Sequence, residues 1–210
     1  KKWSSYFKKT KKNAPTVDRN HEVYKYLVED LPKLISKKID KNIYKVEAST
    51  GDGYVTRTPW LAIYDLSVTD NPKDGFYVVY LFSPKMDLLY LTIGFGAYQF
   101  ETKFKTRSPM IENMDRSREL FVNLFKNKLN YGVKVGKPNL YAANRTSQEW
   151  YEHCTCFMYK PYDLKELPSD NVLFDDLNKI LSIYREIVLD TNSDQFETIS
   201  ETDYVIDHNE

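Results

Sequence analysis

Between residues 43 and 100, four short runs rich in β-branched and aromatic residues are cut apart by dense turn signals. This alternation constrains the fold more than any other feature of the chain. The first run, "NIYKVEAST", sets Ile43, Lys45 and Glu47 against Tyr44, Val46 and Ala48, the period of a strand with two unlike faces. A glycine loop, "STGDGY", leads into "WLAIYDLSV". "TDNPKDG" is the turn before "FYVVYLF", whose nearly unbroken apolar character suits a central strand covered on both faces. "SPKMD" then turns into "LLYLTIGFG". Four consecutive strands joined by short turns predict a meander.

Helical patterns flank it. "HEVYKYLVEDLPKLISKKIDK" spaces Val23, Leu27 and Leu31, then Leu34 and Ile35, with Pro32 opening a second short helix after Asp30. "PMIENMDRSRELFVNLFKNKLNYG" predicts a helix with Leu120, Phe121, Leu124 and Phe125 on one face, stopping near Gly132. "NLYAANRTSQEWYEHCTCFMYKPYD" reads as one or two short strands. A terminal helix follows Ser169 as cap, burying Leu173, Leu177, Ile180, Leu181, Tyr184 and Ile187. The expected fold is α+β: one domain with a central, mostly antiparallel sheet flanked by helices. Its limits are residues 20–189, between a basic N-terminal segment (1–19) and an acidic C-terminal tail (190–210).

Those ends are charged in opposite senses. The first twelve residues carry six Lys and no acid, and the stretch from Asp190 onward carries seven acids and no Lys or Arg. Both read as solvated ends. Formal net charge is zero, so no global basic field advertises a polyanionic partner. No run of 18 apolar residues and no leader-like apolar segment occurs, and Cys154 and Cys156 are two residues apart, a spacing that strains a disulfide. A reduced, cytoplasmic protein is expected. The chain begins on Lys rather than Met, which points to a piece of something longer.

Few motifs carry chemistry. "GVKVGKPN" has one residue too few between its glycines for a phosphate loop, and Pro138 stands where Ser or Thr would hold magnesium. His153, Cys154 and Cys156 make at most three metal ligands without a second pair, so no metal is expected. Asp87 with Glu101 and Lys103 matches the loose spacing of a magnesium-dependent nuclease, the alternative in the enzyme class. The aromatic content is the unusual quantity: 17 Tyr, 11 Phe and 3 Trp. Trp60, Tyr64, Phe76, Tyr77, Tyr80 and Phe82 fall on neighbouring strands, and either core packing or a ligand wall accounts for Trp60 behind Pro59. An aromatic sheet docking a partner subunit is a third reading.

The segments "YKVEASTGDGYVTRTPWLAIYD", "DGFYVVYLFSPKMDLLYLTIGFG", "YAANRTSQEWYE" and "LPSDNVLFDDLNKILSIYREIV", in this order over about residues 20–189, resemble the N-terminal domain family of McrB. The resemblance implies a domain that recognises DNA in modification-dependent restriction systems, without catalysis or cofactor of its own. Such a domain flips a methylated base, 5-methylcytosine first among the candidates, out of double-stranded DNA into an aromatic pocket. It delivers the complex to a motor domain and an endonuclease partner outside this chain. Matched to the family pattern, Trp60, Tyr77 and Leu81 would wall the pocket. Ser49, Thr50, Gly51, Asp52, Gly53 and Tyr54 would form the loop entering the DNA, with either Tyr54 as wedge or Asp52 accepting from a base amino group. Lys45, Arg57, Lys103, Lys105, Arg107 and Arg145 are the candidates for phosphate contacts.

Overall fold

A computed structural model describes residues 2–7, 15–130, 134–141 and 147–190. The four expected strands form: β1 (Tyr44–Ser49), β2 (Trp60–Asp65), β3 (Phe76–Phe82) and β4 (Leu88–Phe95). A fifth, β5 (Thr155–Asp163), adds to β4, giving an antiparallel sheet in the order β1-β2-β3-β4-β5. Every neighbour in space is a neighbour in sequence among the strands, the topology that short turns dictate.

One face of the sheet is the main core. Leu61, Ile63, Phe76, Val78, Leu91, Ile93 and Phe95 point into it and meet α5 (Arg107–Phe125) and α7 (Asp170–Asp190). Phe76 is the hub, its ring 5.2 Å from Phe121 and 5.4 Å from Tyr184. The Tyr184 hydroxyl donates to the Phe76 carbonyl at 2.9 Å and accepts from the Asp65 amide at 3.1 Å, so α7 is pinned to two strands at once. Beside it Asp65, 1% exposed, is held by Arg185 at 2.7 Å and by the hydroxyl and amide of Ser67. Burying a carboxylate is costly unless it is paired and hydrogen-bonded in this way.

The structure corrects several expectations. The 22–36 stretch is one continuous helical run, α2 (Glu22–Tyr24), a π segment (Lys25–Asp30) and α3 (Leu31–Ser36), rather than two helices parted at Asp30. The widened π turn precedes Pro32 and accommodates its missing amide without ending the helix. On α5 the buried stripe is Met110, Met114, Phe121 and Phe125, whereas Leu124 is exposed. The segment read as one or two strands is the helix α6 (Ser147–Cys154) running straight into β5, so Cys154 ends a helix. A short helix, α4 (Tyr98–Lys103), follows β4 and begins inside the 43–100 stretch read as the meander. The basic N-terminal segment contributes a helix as well: α1 (Lys2–Tyr6) packs Tyr6, with Trp3 and Phe7, against Val23 and Val55. The acidic tail beyond Asp190 lies outside the described residues.

Candidate functional site

The second face of the sheet carries the cavity. Trp60 lies opposite Leu81, and Tyr77 opposite Gly94, in the antiparallel register, so Trp60, Tyr77, Val79 and Leu81 share that face. Helices α4 and α6 rise beside it, and the space enclosed is about 200 Å³. Tyr77, Val79 and Leu81 form its floor, while Trp60, Trp150 and Tyr151 are among its walls. Gly94, opposite Tyr77 in the register, also lines the cavity.

The orientation of Tyr77 is fixed at two points. Its hydroxyl donates to the Pro72 carbonyl at 3.0 Å, and its ring meets Tyr64 edge-on with centroids 5.1 Å apart. Burial raises the phenol pKa of Tyr77 and pushes that of Tyr151 up to about 12. The Cys154 thiol is raised as well, chiefly by burial. In each case burial favours the neutral form of the group. The Glu101 carboxyl at the cavity edge is raised above the ordinary carboxylate value by desolvation alone.

Metal-dependent cleavage finds no support in this geometry. Asp87 is tied to the Ser83 hydroxyl at 2.6 Å in the turn before β4, whereas Glu101 and Lys103 lie on α4 beyond the strand's far end. The nuclease triad is thus spread over the length of β4, and among the described residues no group of three His, Cys, Asp or Glu side chains could hold a metal ion.

The glycine loop divides into a buried base and an exposed tip. Thr50 is 1% exposed and its hydroxyl pairs with that of Tyr6 at 3.0 Å; the Ser49 hydroxyl accepts from the Gly51 amide at 3.0 Å. Asp52, Gly53 and Tyr54 form the tip, where Tyr54 is 58% exposed. Gly51, at φ 123°, could not be replaced, because a Cβ there would meet the Tyr54 carbonyl at 2.0 Å. Residues 15–17 brace the loop from outside through Val17 amide to Gly53 carbonyl (3.0 Å) and Val55 amide to Pro15 carbonyl (2.8 Å). Of the six loop residues, Tyr54 alone presents a large side chain to solvent.

The cations are scattered. Arg57 is exposed beside the loop, and Lys103 and Lys105 are exposed at the end of α4. The Lys45 ammonium reaches the Asp70 carbonyl at 2.5 Å and Glu47 at 3.5 Å. Arg107 is paired bidentately with Glu149 of α6, which is itself buried, so this side chain joins α5 to α6. Arg145 lies outside the described residues. Lys73 at the cavity edge, 5.4 Å above the Tyr98 ring, went unnoticed in the sequence, as did Trp150 and Tyr151.

A meander with one face filled by helices, and the other holding an aromatic cavity edged by Glu101 and Lys73 next to a braced loop, is the architecture of a binding module. The family model for the MrcB-like, N-terminal domain matches residues 3–189, and the chain belongs to that family of DNA-binding modules of McrBC-type restriction systems. No curated protein matches the chain.

Proposed function

We propose that this domain reads a modified cytosine, 5-methylcytosine first, in double-stranded DNA by flipping it into the cavity between the sheet and helices α4 and α6. The observation that carries this reading is the convergence of Trp60, Tyr77 and Leu81 on one face around about 200 Å³, below the roughly 300–1,000 Å³ of drug-sized sites and suited to a single flat ring. Tyr54 is the wedge that enters the duplex, and the buried base of its loop, anchored on α1, gives it a rigid footing. Flipping costs a few kcal/mol, which stacking and edge hydrogen bonds inside the cavity offset. The bound complex then serves a motor domain and an endonuclease supplied from outside this chain.

Fluorescence anisotropy with matched duplexes tests the reading. One site would carry cytosine, 5-methylcytosine, 5-hydroxymethylcytosine, N4-methylcytosine, adenine or N6-methyladenine, at two salt concentrations. A methyl group in a tight apolar niche discriminates by roughly 10- to 200-fold, so one modified cytosine duplex should be preferred over its parent by that order. Equal binding to all six would remove base readout, and no binding at low salt would remove DNA.

Replacing Lys103 and Lys105 together with Ala should weaken binding to every duplex and reduce the slope of log K against log salt by about 1.8, two phosphates at about 0.9 each. An unchanged slope would clear that patch of DNA contact. Arg107→Ala is expected to behave differently. It removes the bidentate pair that joins α5 to α6 at the buried Glu149, so its main effect is a loss of stability, read as a lower midpoint in urea.

A further inference from the structure

Two of the residues that line the cavity, Glu101 and Trp150, carry a polar side-chain group with no hydrogen-bond partner among the described residues. Trp150 Nε1 is buried and has no hydrogen-bond partner among the described residues. The Glu101 carboxyl lines the same cavity from the neighbouring helix, and its charge is felt by Tyr151 and Cys154. Two hydroxyls on the wall are committed, Tyr77 to the Pro72 carbonyl and Thr155 to the Tyr151 carbonyl at 2.7 Å, while Tyr98 and Tyr151 carry the remaining ones. Buried polar groups in folded proteins are paired with few exceptions, and an unpaired donor in a ligand cavity marks where a ligand acceptor belongs.

Resting on the flipped-base reading above, we propose that Glu101 and Trp150 read the edge of the base. The carboxylate accepts from the exocyclic amino group, and the indole N–H donates to the ring nitrogen beside it. Trp60, Tyr77 and Leu81 recognise a flat ring with an apolar substituent, and thymine carries the same methyl group as 5-methylcytosine. An apolar wall therefore cannot separate the two, although thymine is abundant in any DNA. The edges do differ: cytosine presents an amino donor next to a ring-nitrogen acceptor, whereas thymine presents a carbonyl next to an N–H. A carboxylate facing the thymine carbonyl and an indole N–H facing the thymine N–H are both mismatched. Adenine has the cytosine-like pair of groups, but it carries no methyl group for the apolar wall. The pocket thus takes a C5-modified cytosine and rejects thymine.

The test compares a duplex with 5-methylcytosine opposite guanine against one with thymine opposite guanine at the same site. The mismatched thymine is the easier base to flip, so any preference for 5-methylcytosine comes from the pocket. The wild-type protein should prefer 5-methylcytosine by more than about tenfold. Glu101→Gln, whose amide can donate to the thymine carbonyl, should bring the two affinities to within about threefold, mostly by tightening on thymine. Trp150→Phe keeps the ring and removes the donor, and should weaken 5-methylcytosine binding by about tenfold with thymine binding little changed. Burial already disfavours the Glu101 carboxylate in the folded chain, so Glu101→Gln should melt no lower than the wild type at pH 7. A wild type that does not tell 5-methylcytosine from cytosine removes the flipped-base reading and this assignment with it. If the wild type makes that distinction but binds thymine equally well, or if both variants keep the wild-type ratio, only the assignment is overturned.

Discussion

Trp60→Ala is expected to lower affinity for the duplex carrying the modified base by roughly 10- to 100-fold, the range of one aromatic stacking partner, with affinity for the parent duplex within about twofold. Trp60 begins β2 behind Pro59, whose carbonyl accepts from the Phe82 amide at 3.0 Å, so the strand ladder fixes the backbone from which the indole projects. The ring is only partly buried and leans on the Tyr64–Tyr77 cluster on one side and on Leu81, Tyr90 and Leu140 on the other. Truncation should therefore cost about 2 kcal/mol of stability, less than removal of a fully buried Trp, and the domain stays folded. The salt dependence should not move, because it counts phosphates and the indole touches none. Trp60→Phe keeps a stacking surface and should recover most of the lost preference. A parallel fall in affinity for both duplexes would mean that Trp60 supports the fold and does not touch the base.

Much of this arrangement is legible in the sequence, and the exceptions have physical reasons. The meander could be read because each strand is a short β-branched or aromatic run closed by Gly, Pro, Asn or Asp, signals that are local. The partnership of Trp60, Tyr77 and Leu81 came from family resemblance; the antiparallel register is what places them side by side. The stretch "TSQEWYEHC" was misread because its aromatics suit a strand, although Thr146 and Glu149 have the spacing of a helix start. That error hid Trp150 and Tyr151, which reach the cavity only because α6 turns them toward it. Arg107 reads as a candidate for phosphate contacts because its partner Glu149 is 42 residues away, and pairing over that distance is a tertiary event. The lysine-rich start looked like a tail by charge alone; its Trp3, Tyr6 and Phe7 are the residues that pack against the base of the loop.

Two glycines at the end of β4 should separate pocket from fold. A Cβ at Gly96 would lie 2.3 Å from the Lys73 carbonyl oxygen, 2.4 Å from its carbon and 2.6 Å from the Asp74 nitrogen, all backbone atoms that no rotamer change can move. The 72–75 turn is tied down there by Gly96 amide to Gly75 carbonyl (3.0 Å) and Gln99 amide to Lys73 carbonyl (3.1 Å). Gly96→Ala must break that turn, and is expected to destabilise the domain by about 3 kcal/mol, the upper end of overpacking costs. In a domain of this size that lowers the melting midpoint by roughly 6–12 °C. The same turn supplies the Pro72 carbonyl that orients Tyr77, so binding of the modified base should fail along with it. Gly94 is the contrasting case. A Cβ there meets the Cys154 carbonyl at 3.5 Å, an ordinary contact, on the face it shares with Tyr77. Gly94→Ala should fold with a midpoint near the wild type and still lose about tenfold in preference for the modified duplex, because the added methyl takes space the base requires. Thermal melts and anisotropy titrations on the two variants give the answer together: a Gly94→Ala protein that binds the modified duplex like the wild type would mean that the base does not enter this cavity.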